Sequence, residues 1–485
     1  MLVRSIGIAS LVRQLGAWRG AGRGSSGYRQ LADALRLLIL DGRLPLGIRI
    51  PGERDLAAAL DVSRTMVSAA FAILRDEGYL VSVQGSGSRT SVPTGAAGRP
   101  PAVPDYASGD VIDLAVAALP AGAGVHRAYA GALAGLPAHL PGHGYEPVGL
   151  DVLREAVAAR YTARACPTEP GQIMVTHGAQ HGLALILRLL AGPGDRVVID
   201  HPTYPHAIDA IQRVSCRAVP VGLPAQGWDI EAMVAAFRQA SPRLAYLLPD
   251  FHNPTGRCMD AAPRAELVAA AARTQTVLVI DETLADLWLD TPSPAPVATH
   301  DSGDWVITLG STGKSYWGGL RIGWIRASAR TIAALGRVRA SLDLGTPVLE
   351  QIAAATLLTE GDADLAERRA ELRLRRAKLQ DLLGAHLPDW RIQLAPGGLS
   401  LWAEMPARVS TALAAVAEGH GVRVTAGPRF GVDGSFERFV RIPYTQPEAM
   451  LEKGIARLAA AYRGVTEPRH RSTVIGLSKE TSAVF

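Results

Sequence analysis

Lysine is nearly missing from this 485-residue chain: only Lys314, Lys378, Lys453 and Lys479 occur, and arginine fills almost every other basic position. A lysine kept inside a motif is therefore more telling than usual. Cysteine is as scarce. Cys166, Cys216 and Cys258 lie far apart with no C-x-x-C pair, which argues against a disulfide framework or a zinc site and suits a reducing cytoplasm. No metal is expected. Long apolar runs are missing too, none approaching the ~20 residues of a membrane span. Hydrophobic residues make up 48% and charged residues 20%, the composition of a soluble globular protein long enough for several domains. No internal repeat is present.

Charge is uneven. Residues 1–100 hold thirteen arginines against seven acids, whereas the whole chain carries only +5. A basic front end on a near-neutral body points to a polyanion partner for the front end alone. The first twenty residues carry Arg4, Arg13 and Arg19 and no acid, superficially like a transit peptide. Their apolar stretch is short and polar-interrupted, so residues 1–24 are read as an extension with an extra helix, or as an early start.

Within residues 25–90 the apolar spacing of Leu31, Leu35, Leu38 and Ile39 predicts a helix ending at Gly42. Pro51 is expected in the first turn of a second helix, with Glu53 and Asp55 at its positive end and Leu56, Ala59 and Leu60 inside. Ser63 is a good N-cap for a third helix burying Val67, Ala70, Phe71 and Leu74, stopped at Gly78. Tyr79–Val83, a turn with Gly85 and Gly87, and Arg89–Thr90 read as a hairpin. Helix, helix, turn, helix, hairpin is the order of a winged helix-turn-helix. The helix from Ser63 would enter the major groove of double-stranded DNA. Arg64 would reach a guanine edge, Thr65 a phosphate or base, and Arg54 and Arg89 phosphates. A helical accessory domain with a solvated arginine face is the blander alternative.

This stretch resembles the GntR-type winged helix in Pro51–Ala57, Val62–Val67, Glu77–Leu80 and Gly85–Gly87. The resemblance implies DNA contacts at Arg54, Ser63, Arg64, Thr65 and the wing at Gly87. A second recognition-helix arginine of some members is Ser68 here.

Proline and glycine crowd residues 91–109, an extended tether, and residues 466–485 read as a disordered tail. From about residue 170 strands and helices alternate, the sign of a parallel α/β sheet. Strands are expected at 173–176, 196–200, 244–248, 277–280 and 305–309, with a helix over 181–190. Just past their carboxyl ends stand His177-Gly178-Ala179-Gln180, Tyr204, Asn253, Asp281 and Ser311-Thr312-Gly313-Lys314. That edge is where open α/β sheets bind ligands. A lysine amine there can form a Schiff base with an aldehyde, and an aspartate can keep a pyridine nitrogen protonated.

Residues 110–465 resemble the fold-type I aminotransferases, which bind pyridoxal 5′-phosphate (PLP). The motif Ser311–Lys314 followed by Gly318–Trp324 carries the likeness most clearly. The resemblance implies a large α/β part over about 146–340 and a small α+β part over about 110–145 and 345–465. It implies Lys314 as the Schiff-base lysine and Ser311, Arg321, Gly178, Ala179 and Gln180 as the phosphate cup. Tyr204 would stack on the ring, Asn253 would bond its 3′-oxygen and Asp281 would pair with its nitrogen. Tyr145 would reach the partner subunit's phosphate in a homodimer, and Arg441 would grip an effector or substrate carboxylate.

A winged helix ahead of an aminotransferase fold resembles the MocR/GabR group of bacterial regulators, and Pro249–Pro254 with Asp281–Leu284 is similar to its actinobacterial, YczR-like branch. The chain departs from the family at Thr283 and Leu284, where a tyrosine hydroxyl would hold the 3′-oxygen. Its loss should raise the Schiff-base pKa. His177 and His181 flank the cup as spectators, His177 within reach of the ring. The favoured expectation is a cytoplasmic transcription regulator that senses PLP or an amino-compound effector. A working PLP-dependent aminotransferase with a DNA-binding appendage, and a catalytically dead dimerisation scaffold, are the alternatives.

Overall fold

The computed structural model describes residues 5–16, 18, 27–40, 43–83, 87–91 and 111–466. Gly42, the turn residues Gly85 and Ser86, the tether from residue 92 on and the tail from residue 467 on lie outside the described residues.

Four helices and a hairpin form the front unit: α1 (Ile8–Leu15), α2 (Gly27–Leu40), α3 (Glu53–Leu60), α4 (Arg64–Asp76), β1 (Leu80–Val83) and β2 (Gly87–Thr90). The apolar faces of α2 and α4 bury Leu31, Leu35, Val67, Ala70, Phe71 and Leu74 in one core. Ser63 caps α4, its hydroxyl accepting from Met66 N–H at 3.2 Å. Pro51 does not open α3. Gly52 is the N-cap, its ψ of 152° extended, so Pro51 stands one residue outside the cap. The hairpin is antiparallel, with Leu80 opposite Thr90.

The extension adds α1, which buries Leu11 and Leu15 in the same core. Ile6 N–H donates to the Arg49 carbonyl at 3.1 Å. At the end of α1, Gly16 adopts φ +52°, and a Cβ there would lie 2.2 Å from the carbonyl oxygen of Asp433 in the C-terminal part of the chain. Only glycine fits so close an approach in that conformation.

The body is built around a seven-stranded sheet of β4 (Ile173–Thr176), β5 (Arg196–His201), β6 (Arg217–Gly222), β7 (Leu244–Leu247), β8 (Val277–Asp281), β9 (Val306–Ser311) and β10 (Gly323–Arg326). Its order is β4-β10-β9-β8-β7-β5-β6. β10 runs antiparallel to both neighbours and the other pairings are parallel. The inner parallel strands β5, β7, β8 and β9 are almost continuously buried, as expected when helices cover both faces, whereas the edge strand β6 is largely exposed or half-buried. The helix after β4, Ala179–Leu190, begins two residues earlier than the sequence suggests, because Gly178 at φ +81° is its N-cap.

A second, five-stranded sheet joins β3 (Ile112–Leu114) to the C-terminal strands β11 (Arg391–Ile392), β12 (Ser400–Glu404), β13 (Val422–Ala426) and β14 (Phe439–Pro443). β3 pairs in parallel with β13, so this smaller unit draws on both ends of the body. The helix Ser410–Ala417 lies against β13 on one side and α2 of the front unit on the other. The front unit thus meets the smaller unit through this helix. No helix among the described residues is long and apolar enough to cross a membrane.

Candidate functional site

Asp281 ends β8 and is 6% exposed. Its Oδ2 accepts from the hydroxyl of Tyr246 on β7 at 2.6 Å, and its Oδ1 from Thr283 N–H at 3.0 Å. Two donors hold the carboxylate in a fixed attitude at the carboxyl edge of the sheet. Burial and the neighbouring carboxylate push the Tyr246 phenol well above its ordinary range, so the hydroxyl stays a donor. Tyr246 sits inside a buried strand run, where the sequence reads it as core.

Lys314 follows β9 on the short helix Thr312–Ser315, capped by Ser311, whose Oγ accepts from Gly313 N–H at 3.0 Å. Burial, reinforced by the Arg441 charge and opposed by Asp281, pulls the amine down to about 8. A lysine so shifted is partly neutral near physiological pH and nucleophilic. Its Nζ donates to the carbonyl of Ala117 at 2.6 Å.

Arg441 on β14 is 7% exposed. It donates to Asn253 Oδ1 at 3.2 Å and to the Ala115 carbonyl, and its guanidinium lies 5.0 Å from the Phe430 ring centre. Burial lowers its pKa to about 10 against the pull of Tyr204 and Asp113, which leaves it charged. The segment after β3 thus offers backbone carbonyls to both cations. Backbone carries no side-chain signal, and the sequence did not reveal it. A cleft of about 270 Å³ opens here, lined by Lys314, Asn253, His252, Leu284, Leu399 and Ser400 among others. Leu284, where a tyrosine was the alternative, forms part of its wall.

The turn from β4 to Ala179–Leu190 lies against Arg321, whose guanidinium donates to the His177 carbonyl at 2.9 Å. A Cβ on Gly323 would lie 2.5 Å from the Gly178 backbone. The turn is therefore pressed onto β10, with the amino end of a 12-residue helix behind it. Backbone N–H groups at such an end attract anions. Ser311 Oγ donates to the Ile322 carbonyl at 3.0 Å, and Gln180 Nε2 to the His206 carbonyl at 3.2 Å. Tyr204 caps the helix Pro205–Arg213. Burial, helped by Asp281 and opposed by Arg441 and Arg321, raises its phenol to about 12. Tyr145 is 57% exposed, its ring 5.6 Å from that of His143.

The structure therefore brings Lys314, Asp281, Tyr204, Asn253, Arg321 and Arg441 to one sheet edge and leaves Tyr145 on the surface. His181 accepts from the His177 N–H at 3.1 Å through Nδ1, and its Nε2 lies 2.8 Å from Asp343 Oδ2. In the front unit Arg54, Ser63, Arg64, Thr65 and Gly87 are all exposed along the start of α3, the start of α4 and the hairpin. Arg89 is half-buried and donates to the Gly47 carbonyl at 3.3 Å.

Comparison with known proteins divides the chain in the same way. The family model for aminotransferase class I and II matches residues 110–458, and that for bacterial regulatory proteins of the gntR family matches residues 27–89. The uncharacterized HTH-type transcriptional regulator YdfD of Bacillus subtilis is 26% identical, over 89% of this chain and 95% of its own. The HTH-type transcriptional regulator TauR of Rhodobacter capsulatus is 28% identical, over 91% of this chain and 97% of its own. Among solved structures, the α-aminoadipate aminotransferase LysN of Thermus thermophilus, complexed with N-(5′-phosphopyridoxyl)-L-leucine, superposes with a TM-score of 0.67 at 26% identity. It covers 74% of this chain and 93% of its own.

Proposed function

Since the chain belongs to the aminotransferase class I and II family and carries a gntR-family segment ahead of that domain, we propose that it is a DNA-binding transcription regulator. Its body holds PLP on Lys314 and reports the arrival of an amino-compound effector. The observation that carries this reading is the seat of the front unit. α2 rests on the helix Ser410–Ala417, which packs against the same small sheet that bears Arg441. A ligand that moves Arg441 pulls on the platform beneath the winged helix.

The residues present fit PLP. Lys314 offers a partly neutral amine, and Asp281 a fixed carboxylate for a pyridine nitrogen. The turn Gly178–Gln180 with Arg321 offers donors and positive charge for a phosphate monoester. When bound, the cofactor supplies an aldehyde that captures amines and a ring that takes up electron density. Tyr246 holds Asp281 in place by donating its own proton. Arg441 would hold a carboxylate once the Ala115 carbonyl is displaced from it. An effector with both an amine and a carboxylate would then take the place of Lys314 at the aldehyde, freeing the lysine amine, while Arg441 holds its carboxylate.

Exposed Arg64 and Thr65 at the start of α4 suit the major groove, with Arg54 on the phosphates. A second copy of the chain would cover the exposed apolar side chains Leu133, Leu140, Tyr145, Val152, Leu342 and Leu344. Two winged helices would then be paired on DNA in the cytoplasm.

An active aminotransferase remains the second reading, favoured by the complete set of Lys314, Asp281 and Arg441. The test is direct: purified protein given PLP should absorb in the visible, and Lys314→Ala should not. Sustained amino-group transfer from an amino acid to a keto acid would make the second reading the primary one. A colourless wild-type protein would reject both.

A further inference from the structure

One peptide in the anion-binding turn is tied at both ends. The carbonyl of His177 accepts from Arg321 at 2.9 Å, and its N–H donates to Nδ1 of His181 at 3.1 Å. Because Nδ1 accepts, a neutral His181 ring carries its proton on Nε2. That nitrogen stands 2.8 Å from Oδ2 of Asp343. The other oxygen, Oδ1, accepts from Arg339 Nε at 2.8 Å and from Gly345 N–H at 2.9 Å. Arg339 is fully buried and donates to the carbonyl of Val175 at 2.6 Å, on the strand that leads into the turn. Val175, Arg339 and Asp343 are thus joined by hydrogen bonds, as are His181 and His177, and the 2.8 Å contact between Asp343 and the His181 ring, without hydrogen-bond alignment, brings the two pairs together.

Burial lowers the His181 ring to about 4 against the attraction of Asp343. The ring is therefore neutral in the cellular pH range, and its tautomer is set by the His177 N–H that Nδ1 accepts. A histidine in the first turn of a helix is ordinarily a solvated side chain. This one joins the turn to Asp343, beyond the carboxyl end of the helix Ala329–Arg339. An anion site made of backbone N–H groups works only if those groups already converge. A turn that must be ordered on binding gives back part of the affinity.

We propose that His181, aimed by Asp343, is a positioning residue that holds the His177–Gln180 turn ready for the phosphate monoester of the cofactor. The proposal rests on the PLP reading above and adds a residue pair that acts on the phosphate alone.

The experiment titrates cofactor-free full-length protein with PLP and, separately, with pyridoxal, which lacks the phosphate. Visible absorbance reports binding, and thermal melts check that each variant is folded. His181→Ala should weaken PLP roughly tenfold or more and leave pyridoxal within about twofold. Asp343→Ala should weaken PLP similarly, and the double variant no further than either alone, because the two act as a unit. His181→Asn, whose amide oxygen can still accept from His177 N–H, should recover part of the loss. Equal weakening of PLP and pyridoxal would overturn the proposal, as would a His181→Ala protein that binds PLP like the wild type. A wild-type protein that binds neither compound would reject the PLP reading itself, and this proposal with it.

Discussion

Arg441 and Asn253 meet across the divide between the two sheets, the guanidinium of β14 donating to the amide oxygen beyond β7 at 3.2 Å. The same arginine also bonds the Ala115 carbonyl, on the segment that follows β3. Its partners are therefore exchangeable: a carboxylate arriving at the cleft competes with a neutral amide and a backbone carbonyl. A charge-assisted pair is stronger than either.

Arg441→Ala should consequently weaken the response to carboxylate-bearing amino compounds while leaving PLP bound. The expected loss of effector affinity is about 2 kcal/mol, read by titrating the visible spectrum with an amino-acid panel. Unchanged effector affinity would remove Arg441 from the effector site.

Lys314 gives a pH dependence with a definite sign. Its amine is lowered from 10.5 to about 8, first by burial and then by Arg441. Between those two values the unfolded chain binds more protons than the folded one, so this group makes the cofactor-free protein more stable as pH rises from 8 toward 10.5. Capture of PLP, which needs the neutral amine, should reach half its maximal rate near pH 8. In Arg441→Ala the midpoint should move upward. Stopped-flow absorbance across pH reads both.

Arg64→Ala should cost roughly 1–3 kcal/mol of affinity for the operator and leave the PLP spectrum unaltered. Fluorescence anisotropy with labelled DNA measures the first quantity. DNA binding that survives intact would place the recognition surface elsewhere on the front unit.

The extension makes its own prediction. Leu11→Ala opens a cavity in the core shared by α1, α2 and α4 and should destabilise the front unit by about 2–4 kcal/mol. Gly16→Ala acts differently, forcing the backbone of Asp433 away. It should leave DNA affinity nearly unchanged and weaken its response to effector. Calorimetry and DNA binding with and without effector separate the two effects.

Much of the front unit was legible because its signals are local. Ser63 and Gly78, and the spacing of Val67, Ala70, Phe71 and Leu74, are read within one helix. Unlike β6 and β10, five strands of the large sheet, β4, β5, β7, β8 and β9, announced themselves as short apolar runs ending in polar residues. Their partners did not. That β10 runs antiparallel, or that β3 pairs with β13 from the far end of the body, depends on contacts between distant segments. The same limit hid the environment of the candidate site. Tyr246 reads as core, the carbonyls of Ala115 and Ala117 have no sequence signature, and Asp343 is far along the chain from His181. Pro51 misled for a smaller reason: either Pro51 or the glycine after it could precede the helix, and the backbone of Gly52 decided.

The most direct test of the account is the affinity of the full-length protein for the DNA upstream of its own coding sequence. It should be measured with no addition, with PLP, and with PLP plus each of a panel of amino acids. The wild type should change affinity by about fivefold or more on binding PLP or an effector, and Lys314→Ala should bind DNA with one affinity throughout. Identical wild-type affinities in every condition, with PLP demonstrably bound, would contradict the claim that the cofactor is part of a switch.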